Sequence, residues 1–358
     1  MNINIEDYGF SPEMLPADAM GEPARVTSVY GELYGIVCKY GETFARRKTG
    51  AYYSKDRGQY PATGDFVLID YNPNGDSQII RMLERKSKFS RNDFSGHAAG
   101  YAKTIKEQVV AANFDYAFIM QSLNRDMNLK RLERYLTLAF GSGARPVVLL
   151  SKADLVEDCG EYIKAVEAVA AGASVHAISV KTGYGMSDIR AYFAPGSTSV
   201  FLGSSGVGKS SLVNALAGEE LMEAKAIRED DGRGRHTTTR RQLFMLKCGA
   251  MVIDTPGMRE IGMWDASRGV AEAFADVEAW INECRFTNCR HESEPGCAVR
   301  AAIERGDLSE ERWSSYLRIT RESSFVAEKS SFLQEKNAKK KAIAMENKRR
   351  LGQKGRNG

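Results

Sequence analysis

The residues with the plainest chemistry run Gly203-Ser204-Ser205-Gly206-Val207-Gly208-Lys209-Ser210-Ser211, directly after the apolar stretch Ser199-Val200-Phe201-Leu202. The spacing G-x-x-x-x-G-K-S is that of a phosphate-binding loop. Its glycines let the backbone curl, so that successive N–H groups turn inward toward an anion. In that reading the Lys209 ammonium reaches the β- and γ-phosphates of a nucleoside triphosphate, and the Ser210 hydroxyl ligates Mg²⁺. A helix is expected from Ser211 through Leu212-Val213-Asn214-Ala215-Leu216, with its positive end facing the same phosphates. All nine residues from Gly203 to Ser211 are therefore candidates for nucleotide binding.

A second cluster carries metal chemistry. Cys284, Cys289, His291 and Cys297 are spaced C-x4-C-x-H-x5-C, three thiolates and one imidazole within 14 residues. That set fits a closed tetrahedral Zn²⁺ site with no position left for water, hence a structural ion. Bound metal would help hold a small subdomain with little core of its own. Cys38, Cys159 and Cys248 are scattered, and no C-x-x-C pair suggests redox work.

These residues need elements to position them. Strand-like runs at Asn113–Met120, Pro146–Leu150, Val175–Ser179 and Ser199–Leu202 alternate with helical patterns at Leu129–Ala139 and Tyr162–Ala171. Alternation of this kind predicts a parallel sheet covered on both faces. Upstream, Val26–Tyr30, Leu33–Cys38 and Asp65–Ile69 are β-rich and separated by glycines, the pattern of a small barrel. An OB-type barrel fits about 60 residues and commonly binds nucleic acid. Arg46-Arg47-Lys48 beside Tyr52 and Tyr53 suits that role, or a solvated hairpin tip. The expected order is an irregular lead-in (1–24), the barrel (25–85), a polar linker with a loop from Asp93 to Gly100 (86–107), the α/β domain (108–265), a helical metal-binding domain (266–328) and a basic tail (329–358).

Several further motifs fall at strand ends. Ser151-Lys152-Ala153-Asp154 resembles the guanine-specificity motif N-K-x-D of GTPases, in which the Asp carboxylate accepts hydrogen bonds from N1–H and the exocyclic amine of guanine. Lys152 would cover the base plane. Ser151 stands where the motif has Asn, which ties neighbouring loops together and contacts the base edge. The loop from Ile178 through Ser179 and Lys181 resembles the S-A-K loop that meets guanine O6. Gly232–Arg240 has the composition of a switch loop, and Thr238 or Thr239 would complete the Mg²⁺ shell. Asp254-Thr255-Pro256-Gly257 is a D-x-x-G pattern: Asp254 would hold Mg²⁺ through water, and the Gly257 N–H would sense the γ-phosphate. In GTPase naming the order is G4–G5–G1–G2–G3, a circular permutation. Many GTPases place a water-orienting Gln after D-x-x-G, but here it is Met258, so slow intrinsic hydrolysis is expected. His236 is the nearest candidate for handling water, or a loop residue that meets a partner.

Composition sets the remaining bounds. The 358 residues are 43% hydrophobic and 27% charged, as expected of a core-forming chain. No apolar run reaches the ~18–20 residues of a membrane span, and the polar, acidic start Met1–Asp7 lacks a signal-peptide core. A cytoplasmic protein without membrane partners, acting as a monomer, is expected. Net charge is +4, but Lys329–Gly358 holds ten Lys/Arg against two Glu, which suggests a polyanionic partner.

On the phosphate loop, Gly232–Thr239, Asp254–Gly257 and Cys284–Cys297, in that order behind a barrel, the chain resembles the RsgA (YjeQ) family of circularly permuted GTPases over about residues 25–325. The resemblance implies an OB fold that contacts 16S ribosomal RNA. It further implies GTP hydrolysis to GDP stimulated by the small (30S) ribosomal subunit, in late maturation of that subunit. Two readings from other classes stand beside it: a nucleotide-gated rRNA-binding module whose hydrolysis is incidental, and an ATPase with a degenerate G4 loop.

Overall fold

The structure is a computed structural model that describes residues 3–47, 60–93, 106–123, 127–222, 241–254 and 267–324. The N-terminal strands β1 (Glu22–Tyr30), β2 (Leu33–Cys38), β3 (Gly41–Arg47), β4 (Phe66–Asp70) and β5 (Ser77–Met82) pair in the order β1-β2-β3-β5-β4. A β1–β4 pairing closes the ring, and β3 runs parallel to β5. This is the OB-type barrel expected from the spacing of glycine and β-branched runs. Ala24, Val26, Tyr34, Ile36, Val67 and Ile79 fill it. The lead-in is more ordered than its irregular sequence implied. Short 3₁₀ turns at Ile5–Tyr8 and Pro12–Met14 bring Ile5, Phe10 and Met14 against Phe66 and Leu68.

The expected linker is partly strand. Strand β6 (Lys88–Asp93) pairs antiparallel with β7 (Lys106–Ala112). Its polar residues conceal one anchor: Phe89 is buried and stacks on Phe114 at 4.8 Å. The remainder of the anticipated Asp93–Gly100 loop lies outside the described residues.

The α/β sheet follows from strands that are apolar on both faces: β8 (Tyr116–Ser122), β9 (Arg145–Ser151), β10 (Ser174–Ile178), β11 (Thr198–Gly203) and β13 (Met251–Asp254). They lie parallel in the order β10-β9-β8-β11-β13, as burial on both faces requires. β12 (Gln242–Met245) caps the edge antiparallel to β13, and its far side meets the barrel through Ser28 opposite Gln242. Barrel and α/β unit thus form one 11-stranded sheet. Helix α1 (Leu129–Gly141) starts at Asn128, whose side chain accepts the Arg131 N–H at 3.0 Å, a standard N-cap. Helices α2 (Gly160–Glu167), α3 (Met186–Ile189) and α4 (Lys209–Ala217) complete the connections.

The C-terminal unit comprises α5 (Ser267–Ala273), α6 (Ala275–Asn282), α7 (Ala298–Arg305) and a helix α8 over 310–324. Helix α7 ends at Gly306, which caps it with φ 82°. Phe274, Val277, Val299, Ala302 and Ile319 share one core with Leu132 and Leu136 of α1. A Cβ on Gly269 would stand 2.1 Å from the Thr137 carbonyl oxygen, so α5 lies on α1 as closely as backbones allow.

Two buried arginines fasten these units to the α/β domain, one at strand β13 and one at helix α1. On the barrel side, Arg25 donates to the carbonyls of Gly64 (3.3 Å), Asn113 (2.9 Å) and Tyr8, contacts Met251 Sδ (3.2 Å), and lies over the Phe66 ring. On the C-terminal side, Arg312 donates to Glu133 (2.9 Å), Asp276 (2.8 and 3.1 Å) and the Ala273 carbonyl (2.7 Å), and lies over Phe274.

Candidate nucleotide site and metal cluster

Strands β9, β10, β11 and β13 each end in one of the predicted motifs, and because they are parallel these ends share one edge of the sheet. Such an edge is where open α/β sheets bind ligands. β11 ends at Gly203. A Cβ there would lie 2.9 Å from the Met120 carbonyl oxygen and 3.1 Å from Val207, so only glycine allows the loop to begin this close to β8. Gly208 takes φ 103° as the cap of α4, with nothing within 4 Å of where its Cβ would be. Lys209 opens α4 and donates to the carbonyls of Gly203 (2.8 Å) and Ser204 (2.9 Å), which folds its stem back over the loop. Ser205, Gly206 and Ser211 are exposed, Ser210 and Lys209 half-buried.

Beside this loop is a cavity of about 330 Å³. Ser151, Lys152, Asp154, Val207, Gly208 and Ser211 all line it, so the loop after β9 and the phosphate loop meet at one pocket. The Ser179 hydroxyl donates to Asp154 Oδ1 at 2.6 Å. That bond, helped by Lys181 and Lys152, holds the Asp154 carboxyl below its ordinary value, so it remains an ionised acceptor at neutral pH. Ser151 is buried, and its hydroxyl lies 2.7 Å from the Val207 carbonyl oxygen and 3.2 Å from that of Gln121. A shorter side chain than Asn thus still ties the loops together. Sequence reasoning missed Met120 and Leu155 on the lining and Gln121 behind Ser151. They belong to no motif, and only their places beside motif residues could have pointed to them.

Asp254 ends β13, opposite Gln242 of β12, the same residue that faces Ser28 of the barrel. His236, Thr238, Thr239 and Gly257 lie outside the described residues, as does the basic tail.

The metal-type cluster is assembled as the spacing implied. The ligand atoms of Cys284, Cys289, His291 and Cys297 all lie within 4.8 Å of one another. His291 Nδ1 is 3.5 Å from Cys284 Sγ and 3.6 Å from Cys297 Sγ. Tetrahedral bonds of ordinary Zn–S and Zn–N length separate such atoms by about 3.5 Å, so the donor set fits a metal of that size. The loop is shaped by Glu294, whose carboxylate accepts the N–H groups of Arg290 (2.8 Å), Glu292 (3.0 Å) and Ser293 (3.1 Å). These bonds pull its carboxyl down to about 2. Among the described residues, no helix is long and apolar enough to cross a membrane.

The fold and the motif order define a circularly permuted P-loop GTPase. The family model described as RsgA GTPase matches residues 82–264. A relative from Listeria monocytogenes serotype 4b, "Small ribosomal subunit biogenesis GTPase RsgA 2", is 43% identical over 92% of each chain. One from Streptomyces avermitilis, "Small ribosomal subunit biogenesis GTPase RsgA", is 42% identical over 90% of this chain and 86% of its own. The solved structure of YjeQ from Thermotoga maritima aligns with TM-score 0.61 at 24% identity, covering 84% of this chain and 98% of that one. YloQ, described as a circularly permuted GTPase, aligns with TM-score 0.58 at 22% identity over 86% and 96%. This chain belongs to the RsgA GTPase family.

Proposed function

We propose that this GTPase acts in late maturation of the small ribosomal subunit, hydrolysing GTP to GDP when bound to that subunit. The observation that carries the reading is the pocket lined together by Asp154, Ser151 and the phosphate loop, in a chain that matches its relatives over nine-tenths of its length. Asp154 would accept from guanine N1–H and the 2-amino group, with Lys152 over the ring and the Ser179 loop at O6. Residues Gly203–Ser211 would cradle the phosphates, with Lys209 on the β- and γ-phosphates. Mg²⁺ would be held by Ser210, Asp254 through water, and Thr238 or Thr239, and it would neutralise charge developing on the phosphates. The Gly257 N–H would report the γ-phosphate. Met258 leaves the attacking water without an amide to orient it, so the subunit, His236 or both would complete the site.

The barrel (25–85) would contact 16S rRNA and the basic tail a phosphate-rich surface. Three thiolates and an imidazole with no open position favour one structural Zn²⁺ at Cys284, Cys289, His291 and Cys297. The protein would work as a cytoplasmic monomer.

Steady-state hydrolysis of GTP and ATP, with and without purified small subunits, tests the reading. Subunits should accelerate GTP turnover alone, and Lys209→Ala should abolish it. Slow, equal and unstimulated turnover of both nucleotides would overturn it. Metal analysis should find about one zinc per chain, released in Cys289→Ser.

A further inference from the structure

We propose that Ser151 makes this GTPase blind to guanine N7. The proposal rests on the pocket being a guanine site and specifies which edge of the base it reads. An Asn side chain has two N–H donors, so one can bind the phosphate loop while the other reaches the base. A serine hydroxyl has a single proton. In this chain that proton faces two main-chain carbonyls, Val207 at 2.7 Å and Gln121 at 3.2 Å, and Ser151 is only 5% exposed. Whichever carbonyl takes it, none is left for N7, which is itself an acceptor. The Ser179 proton is likewise committed to Asp154, at 2.6 Å.

The substitution thus separates two tasks that one amide performs. Loop tethering is retained, and base-edge reading is lost. Discrimination is concentrated on Asp154, whose partners are N1–H and the 2-amino group. The pocket should therefore accept purines altered at position 7 and reject those altered at position 2.

Calorimetric titration of the full chain with diphosphates, which are not turned over, tests this. Wild type should bind 7-deaza-GDP and GDP within about twofold of each other, whereas Ser151→Asn should favour GDP by about three- to tenfold, the worth of one neutral hydrogen bond. Ser151→Ala should weaken both ligands together and leave their ratio near one. IDP, which lacks the 2-amino group, should bind wild type well below GDP.

A penalty of more than about threefold for 7-deaza-GDP in wild type would overturn the proposal. It would show that another donor on the lining, such as Lys181 or Lys152, reads N7. A ratio near one in Ser151→Asn would overturn the assignment to Ser151. ADP binding as tightly as GDP would instead sink the guanine reading of Asp154, and this proposal with it.

Discussion

Arg25 and Arg312 each bury a guanidinium that holds a flanking unit in place, Arg25 against the sheet at Met251 and Arg312 against helix α1 at Glu133, but their partners differ. Arg312 meets two carboxylates, Glu133 and Asp276. Burial works against its charge, yet those carboxylates more than offset this and hold it above its ordinary value. Among the described residues, Arg25 has no carboxylate in hydrogen-bond contact. Its partners are carbonyl oxygens, a thioether and the Phe66 ring, and burial pushes it down to about 10. One joint holds charges in direct contact; the other solvates its charge with main-chain dipoles, while Asp115 and Asp65 favour it without touching it. Their positions differ as well. The C-terminal joint bears on α1, the helix between β8 and β9. The barrel joint bears at Met251 on β13, the strand that ends at Asp254.

Removing each arginine should expose this difference. Arg312→Met should cost about 3–5 kcal/mol, because it leaves Glu133, itself 3% exposed, charged and unpaired. Denaturant unfolding followed by tryptophan fluorescence would measure it. Adding Glu133→Gln should return at least about 1 kcal/mol, since the stranded charge goes too. Arg25→Met should cost less, about 1.5–3 kcal/mol, the worth of hydrogen bonds from a charged donor. It strands no charge, and the Gly64 carbonyl retains the Asn113 amide at 3.3 Å. Equal losses at the two sites would break the comparison.

Neither joint is legible in the sequence, and the reason is physical. Arg25 meets Met251 across 226 residues and Arg312 meets Glu133 across 179, and such pairs leave no local period. The pattern of the site is different. A triphosphate demands glycines, Lys and a hydroxyl at fixed steps, so Gly203–Ser211 can be read directly. Ligand spacing makes Cys284–Cys297 equally plain. The effect of Ser151 is intermediate. Its departure from Asn is visible in sequence, but only the fold shows its hydroxyl at the Val207 carbonyl. Strand β6 escaped because Lys88 and Arg91 outweigh Phe89 in composition, although Phe89 alone does the packing.

The sharpest use of the comparison is at the rim of each joint, where the contrast should vanish. Lys86 pairs with Asp115 at 2.7 Å beside the barrel, and Arg134 with Glu322 at 2.6 Å beside the C-terminal helices. The side chains of both pairs are about a third exposed, so water screens the attraction and ordering the long side chains offsets much of it. Lys86→Ala and Arg134→Ala should each cost at most about 1 kcal/mol, and the double variant should be additive within about 0.5 kcal/mol. Raising salt should shrink both effects. Asp115 is the wrong residue to remove, because its other oxygen also accepts the Thr198 N–H at 2.8 Å. A loss above about 2 kcal/mol for either cation, unchanged by salt, would place the electrostatic weight of that joint at its rim and take it away from the buried arginine.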